Sequence, residues 1–247
     1  FDKDFATDAS GYHLVLLCKN DVGYKNLCKL VSFSFIDGFY VKPRIDMDLL
    51  RENHEGLIAL SACLAGRVPR LITAGDYSGA KNAALEMLDI FGQGNYYLEL
   101  QDHGIQEQQT VNEGIIRLHK ETGIPLVVTN DAHYLTKKDA YTQDVLMCVQ
   151  TGKTVDDENR MRFETEEFYI KSEDEMRSLF PEFPEAADNT AKIAEMCNME
   201  FEFGHYHLPE FKVPEGTTAQ KHLRRLCYEG MAERYGEGRQ DIEKQLN

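Results

Sequence analysis

An α/β fold, with helices alternating against a mostly parallel sheet or barrel, is what this sequence predicts. Short apolar runs recur between longer stretches of helical spacing, and the runs are continuous rather than alternating, as in strands buried on both faces. With 247 residues and 42% hydrophobic content, there is enough chain for one large domain or one and a half.

The strands expected are Tyr12–Leu17 (YHLVLL), Gly56–Ser61 (GLIALS), Tyr96–Leu100 (YYLEL) and Pro125–Thr129 (PLVVT), with a weaker one at Glu167–Ile170. Between them, Asp21–Ile36 follows a cap at Asn20 or Asp21, Tyr77–Phe91 is rich in Ala and Leu before Gly92 stops it, and Gln106–Thr122 ends at Gly123-Ile124-Pro125. Loops after the strands then share one rim, where α/β folds place their chemistry.

Beyond about residue 137 helices dominate: Lys138–Gln150, Glu173–Phe180 with Ser172 and Glu175 as a capping box, and Glu185–Cys197. Prolines and glycines gather over 205–216, after which Thr217 and Gln220 offer a second capping box for a helix reaching about Tyr235. The expected division is residues 1–207 and 208–247, with the charged tail Glu237–Asn247 cut mid-helix. The opening FDKDFATDAS reads as a polar loop entering a strand and carries no methionine, so the natural protein is expected to begin upstream.

Acidic residues outnumber basic ones 42 to 27, a net charge of −15, and a surface of that sign repels phosphate backbones unless metals or clustered bases intervene. Weak or no DNA binding by this stretch is the expectation. No apolar run of about eighteen residues and no signal-peptide pattern occurs, so no membrane partner is expected and a cytoplasmic location is the default. The six cysteines are scattered without a CxxC pair, which reads as reduced thiols rather than a disulfide framework or zinc ribbon.

Thr129-Asn130-Asp131-Ala132-His133-Tyr134 directly follows the strand PLVVT. If strand geometry persists, Asp131 and His133 project to the same side as an oxygen and an imidazole ligand, half of a metal site. The same residues equally suit a turn in which Asn130 and Asp131 cap the next helix. His13 opens the first strand and Cys63 stands in a small-residue loop after the second; singly, each reads as an ordinary core residue. Together, His13, Cys63, Asp131 and His133 all lie at or beside strand ends, where converging ligands belong.

Other candidates are weaker. His205 and His207 flank Tyr206 in a linker-like region, Glu99 and Asp102 border the end of YYLEL with His103 beyond, and Gly92-Gln93-Gly94 follows a helix and lacks the phosphate-loop pattern. No GxSxG nucleophile elbow is present.

The string LVVTNDAHYLTKKDAYTQDVLMCVQTGK resembles bacterial DNA polymerase III α subunits, where the last PHP motif runs into the helices behind the barrel. GYHLVLLCKNDVGYKNLCKLVS, GFYVKPRIDMDLL, GLIALSACLAG, YYLELQDHG, FYIKSEDEM and HLPEF followed by LRRLCYEGMAERY resemble that family in the same order, nearly end to end.

The resemblance implies an incomplete distorted (β/α) barrel of PHP type lacking its N-terminal strands, followed by a mostly helical segment. Residues 1–207 would be the C-terminal part of the PHP domain and 208–247 the linker and start of the polymerase palm region. It further implies a fragment of a DNA-directed DNA polymerase, a nucleotidyltransferase of chromosomal replication, with DNA and other replicase subunits as partners of the full-length protein.

In that family the metal ligands of the PHP rim match His13, Cys63, Asp131 and His133. Zn²⁺ or Mn²⁺ is expected there, for metal-dependent 3′-5′ exonuclease chemistry, and Mg²⁺ at the polymerase site outside this sequence. The family's opening H-x-H strand, TDH motif and a further glutamate ligand are absent here, as are the palm aspartates, so this fragment alone is expected to be inactive. An open barrel side exposes strand edges, which favours domain swapping or a homodimer. The alternative is a structural and interaction platform within the replicase. A stand-alone PHP phosphatase would not need the stretch from Lys137 to Tyr235.

Overall fold

The computed structural model describes residues 11–206, 208–236 and 238–246; the opening FDKDFATDAS, His207, Glu237 and Asn247 lie outside them. The chain forms two compact units, one running through Glu200 and the other from Phe201. The position expected to divide the chain, residue 208, falls within the second.

The first unit is an α/β structure on one open sheet. Strand β1 (Val15–Cys18) leads into α1 (Asp21–Ile36), capped by the Asn20 side chain, which accepts from the Gly23 amide at 3.1 Å. Helix α2 (Met47–Glu52), β2 (Leu57–Leu60), α3 (Arg67–Thr73) and α4 (Tyr77–Phe91) follow, then β3 (Tyr96–Leu100), α5 (Gln106–Thr122) and β4 (Leu126–Val128). A single 3₁₀ turn at Lys137–Asp139 opens α6 (Ala140–Thr151), after which come α7 (Glu173–Leu179) and α8 (Pro184–Met196). The expected Ser172–Glu175 capping box is present at α7.

The four strands lie in the order β1-β2-β3-β4. β1 runs antiparallel to β2, with Val15 opposite Leu60, whereas β2–β3 and β3–β4 are parallel. The weak strand expected over Glu167–Ile170 is reduced to an isolated bridge between Tyr134 and Tyr169.

Every residue of β2, β3 and β4 is buried, which explains why these strands read as continuous apolar runs. On one face Ala59, Leu98, Leu100, Leu126 and Val128 pack with the apolar sides of α3, α4 and α5, including Ile72, Ala84, Met87, Ile115 and Leu118. On the opposite face Ile58, Leu60, Tyr97 and Val127 meet Ile193 of α8, and the Asn189 side chain donates to the Leu126 carbonyl at 2.7 Å. The crossover helices occupy the outer side, so α8 covers the face that a closed barrel turns inward.

The second unit holds α9 (Ala219–Tyr235) and α10 (Gln240–Leu246). Thr218, not Thr217, caps α9, its hydroxyl accepting from the Lys221 amide at 3.3 Å. Thr217 has the same cap chemistry but stands one residue too early for its oxygen to meet the free amides of the first turn.

Candidate metal centre at the strand rim

Three parallel strands bring the loops following β2, β3 and β4 to one end of the sheet, and antiparallel β1 brings its beginning, not its end, to that same rim. His13 therefore sits beside the loop after β2. Its amide donates to the Ala65 carbonyl at 3.0 Å and the residue bridges to Gly66. That pairing sets Cys63 Sγ 3.6 Å from His13 Nδ1. Burial pushes the Cys63 thiol up; a backbone hydrogen bond at Ala65 opposes this, while the charges of Asp131 and Glu99 add to it. A thiol so placed stays protonated until a cation compensates the thiolate.

At β4 the outcome differs from simple strand continuation. Regular pairing stops at Val128, and Asp131 adopts a left-handed backbone with φ of 46°. Strand alternation therefore does not set the directions of Asp131 and His133. The His133 ring folds back instead, with Nδ1 2.8 Å from the Asp131 carbonyl oxygen. A carbonyl only accepts, so Nδ1 carries a proton, and in the neutral ring that tautomer leaves the lone pair on Nε2, the arrangement typical of metal-binding imidazoles. Phe163 and Phe168 hold the ring at centroid distances of 4.8 and 5.5 Å.

The capping alternative is not what these residues do. Thr136 and Asp139 form the capping box ahead of α6, whereas the Asn130 side chain donates to the Tyr169 carbonyl at 2.6 Å.

Between the two ligand loops lies Glu99, on the inward face of β3 and 5% exposed. Its carboxylate accepts from the Ala62 amide and, at 2.7 Å, from the Thr129 hydroxyl. Burial raises its pKa against these hydrogen bonds, and the charge of Asp131 raises it further. Glu99 does not pair with Asp102, which closes its own turn by accepting from the Gly104 amide at 2.8 Å. In sequence, the signal for Glu99 was one carboxylate inside an otherwise apolar strand.

His103 is excluded as a ligand by its hydrogen bonds. Nε2 meets the Asn130 carbonyl and Nδ1 meets the Gln108 amide nitrogen at 2.7 Å, while the ring stacks on Phe168 at 4.1 Å. Both nitrogens are therefore engaged. His205 belongs to the other unit, 3.3 Å from Glu202.

Of the expected ligands, Cys63 and His13 meet through their side chains, whereas the His133 ring meets the backbone carbonyl of Asp131 and not its carboxylate. Among the described residues no three His, Cys, Asp or Glu side chains are close enough to enclose one ion. Their donor chemistry nevertheless fits a divalent cation. A tetrahedral zinc ion holding thiolate sulfur at about 2.3 Å and imidazole nitrogen at about 2.0 Å keeps the two donors about 3.5 Å apart, close to the Cys63–His13 separation.

Residues 2–103 match the PHP domain. The chain is 48% identical to DNA polymerase III subunit alpha of Borreliella burgdorferi over 91% of its own length and 20% of that protein's. It is 44% identical to the Treponema pallidum subunit, over 91% and 19%, and 42% identical to that of Thermus aquaticus, over 92% and 19%. Over nine-tenths of its length the chain is thus similar to one segment of these alpha subunits. It spans about a fifth of the length of these alpha subunits. Within the alpha-subunit segment the PHP match covers β1 through β3, so His13, Cys63 and Glu99 fall inside it and Asp131 and His133 follow it.

Proposed function

We propose that this chain is part of the catalytic alpha subunit of a bacterial DNA polymerase III, a DNA-directed DNA polymerase of chromosomal replication working with DNA and other replicase subunits in the cytoplasm. Residues 1–207 serve as the later part of its PHP domain and 208–247 as the linker into the polymerase region. The Cys63–His13 contact carries the site reading, because two soft or borderline donors at ligand spacing stand on the rim that also bears Asp131 and His133.

The rim so read holds divalent metal, Zn²⁺ or Mn²⁺, for 3′-5′ exonuclease hydrolysis of a phosphodiester; Mg²⁺ serves the polymerase site elsewhere in the full protein. When bound, the metal supplies an activated water and neutralises charge on the leaving oxygen. His13 and Cys63 would supply two of its donors; Asp131 and His133 stand on the same rim, but among the described residues no third such side chain completes that pair. His133 is oriented by its own Nδ1–H bond to the Asp131 carbonyl. With a net charge of −15, the segment relies on metal and on the rest of the polymerase to hold DNA.

A second reading, a structural and interaction platform, is favoured by the exposed apolar side chains of α1 and the segment after it, among them Phe35, Ile36 and Phe39. The outer edge of β1, to which no strand pairs among the described residues, supports a homodimer of the isolated chain.

Exonuclease assays on full-length polymerase, freed of any separate proofreading subunit, test the enzyme reading. Activity abolished by Asp131→Ala with polymerisation retained supports it. Activity indifferent to that change leaves the platform reading.

A further inference from the structure

The two halves of the rim are joined by a residue outside the ligand set. Glu99 is held on the inward face of β3, and its own amide donates to Ser61 Oγ at 2.8 Å. One carboxylate oxygen takes the amide of Ala62, the residue before Cys63; Ala62 is left-handed, with φ of 66°. The other takes the Thr129 hydroxyl, two residues before Asp131, which is also left-handed. Thr129 Oγ1 in turn accepts from Gln101 Nε2 at 2.9 Å, and the Gln101 carbonyl accepts from Asn112 Nδ2 at 2.9 Å, tying the chain of bonds to α5.

Only three described residues other than glycine have positive φ, and two of them, Ala62 and Asp131, sit in the two loops that Glu99 connects. Such backbone costs about 1–3 kcal/mol each and persists where surrounding bonds hold it. The Glu99 carboxylate supplies bonds of that kind, and no Lys or Arg ion pair of Glu99 is found among the described residues. A buried carboxylate with hydrogen bonds and no cation is poorly compensated.

We propose that Glu99 is the positioning residue of this rim: its carboxylate fixes the Cys63 loop and the Asp131–His133 loop relative to one another and lends its charge to whatever cation they hold. The first part stands on geometry alone; the second rests on the metal reading above.

Amide hydrogen exchange on the purified, metal-free 247-residue chain tests the first part, read at peptides covering 61–66 and 129–134 with α4 as the folding control. Glu99→Leu removes both acceptors and is expected to speed exchange in both loops together, by about tenfold, with α4 unchanged. Glu99→Gln keeps an oxygen for the Ala62 amide but presents N–H groups towards Thr129, so it is expected to loosen 129–134 more than 61–66. Exchange unchanged in either loop of Glu99→Leu overturns the proposal.

Zn²⁺ titration tests the second part. Glu99→Gln is expected to weaken affinity about 10–100-fold at unchanged stoichiometry, as loss of a residue supporting metal ligands does. Equal affinity for Glu99→Gln and wild type, with Cys63→Ala weakened, overturns the charge role. If wild type and Cys63→Ala both take up no Zn²⁺, the metal reading has failed and the charge role fails with it. The exchange result then still decides whether Glu99 couples the loops.

Discussion

Cys63 Sγ lies 3.6 Å from His13 Nδ1 although the two residues are 50 positions apart in sequence. The contact exists because β1 is antiparallel to β2, so the start of one strand meets the loop leaving the other. Burial first, and then the nearby carboxylates Asp131 and Glu99, hold this thiol above its ordinary value.

Alkylation of metal-free Cys63 by iodoacetamide at neutral pH should accordingly be slow, and Asp131→Asn should speed it. The gain should stay below about tenfold, because burial remains the larger cause. Mass spectrometry of the Cys63 peptide reads the rate. An unchanged rate would show that the charge at residue 131 does not reach the thiol.

Backbone and carboxylate contributions at Asp131 separate by substitution. With φ at 46°, Asp131→Ala should be less stable than Asp131→Gly by about 1 kcal/mol, since glycine accepts this conformation without penalty. Both should lose metal affinity alike. Urea unfolding and metal titration of the two variants provide the check, and equal stabilities would argue against the left-handed backbone.

Gly66 is the bridging partner of His13, and a Cβ there would stand 2.1 Å from the Ser61 carbonyl oxygen. Gly66→Ala must therefore shift backbone, costing about 1–3 kcal/mol, and should separate Cys63 from His13. Loss of stability accompanied by weaker metal binding is the expected pair of results; a variant with wild-type metal affinity would mean the loop absorbs the methyl elsewhere.

The Arg67 guanidinium, assisted by Arg51, holds Glu86 below the usual carboxylate range despite burial. A depressed folded-state value contributes stability that is complete above the unfolded value, near 4.5, and is lost as pH falls through the folded one. Thermal unfolding should therefore show a drop in Tm below about pH 4.5 that is shallower in Glu86→Gln. Parallel curves for the two proteins would remove Glu86 from the acid response.

The sequence read most plainly where local chemistry decides structure. The ranges Asp21–Ile36, Tyr77–Phe91 and Gln106–Thr122 match the observed helices, because each combines helical apolar spacing with a clear stop or cap, such as Asn20, Asp76 or the left-handed Gly123. Short α2 and α3 were not anticipated. Six and seven residues give little periodicity to detect, and Pro69 inside α3 reads as a breaker, although it stands in the first turn, where its missing N–H costs nothing.

At the rim, residue types were legible and directions were not. Strand alternation does not set the Asp131 and His133 orientations, because regular pairing ends at Val128 and Asp131 itself is left-handed. Glu99 read only as a weaker candidate beside Asp102, because its partners Ala62 and Thr129 are 37 and 30 residues away and nothing local in the sequence links them.

A cation site at this rim requires bound metal in the purified chain. Elemental analysis of the purified chain after exhaustive dialysis, beside Cys63→Ala and His133→Ala, should find near-stoichiometric Zn or Mn in the wild type and a clear loss in both variants. Metal absent from the wild type, or retained equally in the variants, would contradict it.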